Sequence, residues 1–156
     1  MNEPPGEHSD AASPSRSFRC RGLLVLAPCL AVLGASMWLT PDPYGVGTHE
    51  QLGLSPCGML IDHGWPCPGC GLTTSFAAVA HGRFVEAFRA QFAGPFLFMG
   101  VLLLTFASAA EAATGRDFLR RFRPLWLYVA APILLTLIGW GLKAYLGWTA
   151  GTYPLR

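Results

Sequence analysis

Charge is scarce in this chain of 156 residues. Asp, Glu, Lys and Arg together make up 13% of it, about half the share of an ordinary soluble domain. Hydrophobic residues reach 52%, so a fold solvated on all sides is not expected. Lysine is almost missing: Lys143 stands alone, and a formal charge of +2 leaves no broad basic face for nucleic acid. Cysteine is sparse too. Cys20 and Cys29 fall at or inside the first apolar run, which excludes a disulfide-dense secreted scaffold. No Ser-His-Asp order, phosphate-binding glycine loop or pair of intramembrane carboxylates occurs, so nothing assigns a reaction and the chain reads as non-enzymatic.

What the sequence does have is long apolar runs. A helix rises about 1.5 Å per residue, so about 20 apolar residues cross the hydrocarbon core of a bilayer. Three runs qualify, at about 22–41, 92–112 and 124–145. The fold class expected is therefore an all-α membrane protein with three transmembrane helices, its principal partner the lipid bilayer. Small residues Ala27, Ala31 and Ala35, four apart in the first run, suit close packing within the chain, against other membrane proteins or in self-association. Glu111, near the end of the second run, is within reach of Arg116.

Arg and Lys resist translocation and so mark the cytoplasmic side. Arg16, Arg19 and Arg21 precede the first run, and Arg116, Arg120, Arg121 and Arg123 lie between the second and third. The connection 42–91 instead carries Asp42, Glu50, Asp62 and Glu86 against Arg83 and Arg89. The expected layout is a disordered cytoplasmic tail 1–21, a membrane domain 22–146 with an external loop 42–91, and a short external tail 147–156. Trp38, Tyr44, Tyr145 and Trp148 on one side, and Trp126 and Tyr128 on the other, fit interfacial belts. A cleaved signal peptide is the alternative for the first run, which passes small residues at Gly34, Ala35 and Ser36. The stretch Leu26-Ala27-Pro28-Cys29 only superficially resembles a lipoprotein box, so Cys29 reads as a buried packing thiol.

The loop holds the remaining chemistry. Turn formers dominate as far as Gly71; thereafter Leu72, Phe76, Val79 and Ala80 recur at helical spacing, with Thr73 or Thr74 as a cap and Gly82 as a stop. Phe84, Phe88 and Phe92 then follow four apart beside Arg83, Glu86 and Arg89, the pattern of an amphipathic helix. Together they predict a short re-entrant or interfacial helix pair.

The order Cys57-Gly58, then Trp65-Pro66-Cys67-Pro68-Gly69-Cys70-Gly71-Leu72-Thr73-Thr74-Ser75-Phe76, His81-Gly82-Arg83-Phe84 and Glu86-Ala87-Phe88 resembles a bacterial membrane family, domain of unknown function 2752. The resemblance runs from about Leu52 to Leu104, and Cys-Pro-Gly-Cys-Gly-Leu-Thr is its most specific part. Many members carry Arg where this chain has Thr74, and Asn-Pro where it has Ala93-Gly94-Pro95. The resemblance implies a multi-pass protein of the bacterial inner membrane and no known activity.

The cysteine-bearing loop reads first as a structural or partner-binding element, with thiol redox or metal chemistry at Cys57, Cys67 and Cys70 as the alternative, so three uses of these cysteines stay open. A disulfide between two of them pins the loop in an oxidising compartment and leaves the third thiol buried. A redox dithiol uses Cys67 and Cys70, with the following helix N-terminus favouring a thiolate. A zinc-type metal site takes Cys57, His63, Cys67 and Cys70 as ligands, with Asp62, His49 and His81 in reserve, since Pro and Gly turn a Cys-x-x-Cys backbone so that both sulfurs face one ion.

Overall fold

The computed structural model describes residues 14–122 and 125–152. Every regular element among them is helical. Helix α1 covers Pro14–Trp38, and a 3-10 turn follows at Thr48–Leu52. The short helices α2 (Gly58–His63), α3 (Leu72–Ala80) and α4 (Phe84–Ala90) fill the rest of the loop. Helix α5 covers Gly94–Thr114, a second 3-10 turn Leu119–Phe122, and helix α6 Leu125–Thr149.

Three segments are long and apolar enough to cross a membrane: Arg16–Trp38, Gly94–Thr114 and Ala130–Thr149. The shortest has 20 residues, about 30 Å of helix. Each expected run is thus a helix, with shifted ends. The first extends back to Pro14, with Arg16 and Arg19 exposed and Arg21 half-buried where it meets Glu111 of α5. Of the expected tail, residues 1–13 lie outside the described residues, as do Arg123 and the side chains of Trp126 and Tyr128. Trp38, Tyr44, Tyr145 and Trp148 are all exposed, as interfacial side chains should be.

Helix α5 packs along α1. The face of α1 that does this is not Ala27, Ala31 and Ala35, of which the first two are exposed. Gly22, Cys29 and Ser36, seven apart, are buried instead, and a Cβ on Gly22 would fall 2.7 Å from the Ala112 nitrogen. Seven residues are two helical turns, so this narrow seam needs small side chains only where the backbones touch. Opposite it, α5 buries Thr105, Ser108 and Glu111. The hydroxyls bond within their own helix, Thr105 to the Val101 carbonyl at 2.7 Å and Ser108 to the Thr105 carbonyl at 3.0 Å, so the seam leaves no orphaned polar side chain there.

The expected helix pair is present as α3 and α4. Ala77, Ala78, Ala87 and Ala90 are buried between them, while Phe84, Val85 and Phe88 point outward. Ser75 Oγ crosses from α3 to the Ala87 carbonyl at 2.8 Å. Phe88, Phe92 and Phe96 form a cluster of tilted and edge-on rings with centroids 5.6–5.8 Å apart, carrying the amphipathic pattern from α4 into α5. Neither Thr73 nor Thr74 caps α3. Gly71 takes the N-cap position without a side-chain bond, and the Thr74 hydroxyl reaches the Thr48 hydroxyl at 2.8 Å instead, fixing the first 3-10 turn against α3.

Candidate thiolate centre

The loop brings three sulfurs together from two separate stretches. Cys57 is the N-cap residue of α2. Cys67 and Cys70 flank a tight turn in which the Cys70 N–H donates to the Cys67 carbonyl at 3.0 Å and the Leu72 N–H to the Gly69 carbonyl at 3.1 Å. Pro66 and Pro68 suit such a turn because their φ is already fixed. Gly71 then reverses into α3 at φ +88°, a conformation that favours glycine.

The Sγ atoms of Cys57, Cys67 and Cys70 all lie within 4.8 Å of one another. Cys67 and Cys70 are closest, at 3.2 Å between sulfurs, and the Cys67 N–H also points at Cys70 Sγ from 3.2 Å. All three are free thiols. Around a tetrahedral ion with metal–sulfur bonds of about 2.3 Å, sulfurs sit about 3.8 Å apart. The observed spread brackets that spacing, so the three cysteines are close enough to hold one metal ion. His63 does not join them: it ends α2 as an exposed residue. Asp62 is likewise exposed, and His81 is turned to the Ala77 carbonyl at 2.8 Å.

Burial separates the thiols electrically. Cys70 is buried, which pushes its thiol up to about 12, and hydrogen bonding with Cys67 and Cys57 acts in the same direction. Burial also opposes ionisation of Cys57, but hydrogen bonds from the Cys70 thiol and the Leu60 N–H outweigh it and hold Cys57 below the ordinary thiol value. Of these two, Cys57 is the first to become a thiolate.

The turn is braced from α6 and from the end of α4. Trp140 Nε1 donates to the Pro66 carbonyl at 2.6 Å. Lys143 Nζ donates to the Ala90 carbonyl at 2.7 Å and reaches the Cys70 carbonyl at 3.4 Å. Gln91 Nε2 donates to the Pro68 carbonyl at 3.0 Å, while its buried Oε1 accepts no bond among the described residues. Lys143 thus places the chain's one lysine on the backbone of the cysteine turn. Nothing in the linear spacing of α6 announces this, since the contact spans 73 residues.

A cavity of about 390 Å³ adjoins the sulfurs, lined also by His49 and Glu50 of the first 3-10 turn and by Leu60 and Ile61 of α2. His49, a reserve candidate in the sequence, therefore lines the same cavity as the three thiols.

Neither a curated protein nor a solved structure matches the chain. Residues 57–105, from the first of the three clustered cysteines into the middle of α5, match the family described as protein of unknown function, DUF2752.

Proposed function

We propose that this chain is a non-enzymatic, multi-pass protein of the bacterial inner membrane whose external loop binds a thiophilic metal ion, of the zinc type, through Cys57, Cys67 and Cys70. The convergence of three sulfurs within 4.8 Å carries the reading. A disulfide needs two sulfurs and gives no reason for a third beside them; a thiolate metal centre needs three or four. The brace supports it as well. Three divergent donors, Trp140, Lys143 and Gln91, hold the carbonyls of the turn, and such outer contacts orient the ligands of metal sites. The Lys143 ammonium also stands near the net negative charge that three thiolates around a divalent ion would create. Arginine placement around α1 and after α5 supports a cytoplasmic N-terminus.

The test is metal content by mass spectrometry of the full chain, purified in detergent under reducing conditions. About one ion per chain is expected, with Cys57→Ser, Cys67→Ser and Cys70→Ser each lowering affinity at least about tenfold and Cys29→Ser leaving it unchanged. Wild-type protein that takes up no zinc would overturn the reading.

Thiol–disulfide exchange at Cys67 and Cys70 is the second reading, favoured by their 3.2 Å approach. It predicts a mixed disulfide trapped when one of the two cysteines is replaced, and no dependence on Cys57.

A further inference from the structure

A thiolate centre built from three protein ligands has a fourth position, and where that position points decides what the centre can bind. Such a position exists only on the metal reading above. Cys57, Cys67 and Cys70 line the cavity of about 390 Å³ together with His49, Glu50 and Ile61. Among the described residues, no fourth Cys, His, Asp or Glu joins the cluster. His49 is engaged elsewhere, its Nε2 lying 3.2 Å from the Ser55 carbonyl oxygen. Structural zinc sites are closed by four protein ligands, whereas three protein ligands beside an open position mark sites that exchange water for another molecule.

We infer that the cavity is a ligand pocket in which the fourth position of the metal takes a small neutral nitrogen or oxygen donor from outside the chain. Water fills the position at rest, and the incoming donor displaces it. Volume supports the assignment, since pockets for small molecules begin at about 300 Å³. Charge selects the class. Three thiolates around a divalent ion carry one net negative charge; Lys143, which braces the turn without lining the cavity, offsets part of it, and the Glu50 carboxylate among the lining residues restores a negative balance, so an anionic donor meets repulsion that a neutral one does not. A neutral donor that keeps an N–H or O–H can also donate it to Glu50.

The experiment uses the full chain loaded with cobalt(II), whose visible spectrum reports its coordination. Imidazole, added as the neutral probe, is expected to change the spectrum saturably and to bind at least about tenfold tighter than thiocyanate. Ile61→Trp, a change at an exposed residue of the cavity wall, is expected to weaken imidazole about tenfold by filling the pocket, with bound cobalt still near one per chain. Glu50→Gln should narrow the preference over thiocyanate. A cobalt-loaded chain whose spectrum ignores imidazole would refute the open position, and a spectrum altered by His49→Ala would then identify His49 as the closing ligand. Thiocyanate binding more tightly than imidazole would refute the ligand class. Failure to bind cobalt at all would instead remove the metal reading, and the pocket assignment with it.

Discussion

Gly71 shows how one residue holds the cysteine turn in place. Besides its positive φ, a Cβ there would lie 2.2 Å from the Ala90 carbonyl oxygen and 2.8 Å from that of Gly45. Both are backbone atoms, which cannot rotate away. Gly94 is similarly enclosed, its added Cβ falling 2.0 Å from Ser75 Oγ, the hydroxyl that joins α3 to α4. Gly34 and Gly100, in contrast, have nothing within 4 Å. Gly71→Ala should therefore cost about 2 kcal/mol or more and loosen metal binding. Gly94→Ala should also destabilise, whereas Gly100→Ala should be neutral or stabilise by up to about 1 kcal/mol, the usual helical gain over glycine. Thermal unfolding midpoints in detergent would rank them; equal midpoints for Gly71→Ala and Gly100→Ala would refute the steric argument. In the sequence these glycines look alike, because the atoms that enclose Gly71 come from residues 45 and 90.

At the scale of elements, α1 and α5 are tied at one end by charge. Arg21 Nε donates to Glu111 Oε1 at 2.8 Å, and Arg21 also pairs with Asp117 beyond α5. The second oxygen of Glu111 accepts the Leu119 N–H at 2.8 Å, so this fully buried carboxylate is bonded on both sides. Asp117 loses some hydration here, but the hydrogen bond from Arg21 and the Arg120 N–H hold its carboxyl below the usual range. The sequence offered Arg116 to Glu111 as a neighbour; the actual partner lies 90 residues away, because helix packing rather than linear distance brings α1 beside α5. Arg21→Gln should leave Glu111 buried and unpaired. Complete loss of a buried pair costs about 3–5 kcal/mol; with Arg21 partly exposed, about 2 kcal/mol is expected. Arg21→Gln combined with Glu111→Gln should recover part of this. The monodisperse fraction of detergent-solubilised protein measures both, and a double variant no better than Arg21→Gln alone would refute the pairing.

For the whole molecule, the three spans were legible because the bilayer sets a length that apolar composition either meets or does not. The α3–α4 pair was legible from its 3.6-residue pattern and from Gly82. The site was legible only as a set of candidates: Cys57, Cys67 and Cys70 stood out, but spacing also put His63 forward, which the fold leaves exposed at the end of α2, and gave no sign that α6 comes onto the turn. Orientation follows from charge placement and can be tested apart from the chemistry. Cys20 is exposed near the start of α1, beside Arg19 and Arg21, and Met59 of α2 is exposed on the cysteine loop. In a background lacking the other cysteines, a membrane-impermeant maleimide should label Met59→Cys in intact cells and label Cys20 only after permeabilisation. The reverse pattern would put the thiol cluster in the cytoplasm, and the arginines after α5 outside, against the resistance of cationic loops to translocation. Labelling at both positions in intact cells would place α1's start and the loop on the same side, which α1 cannot satisfy as a single span.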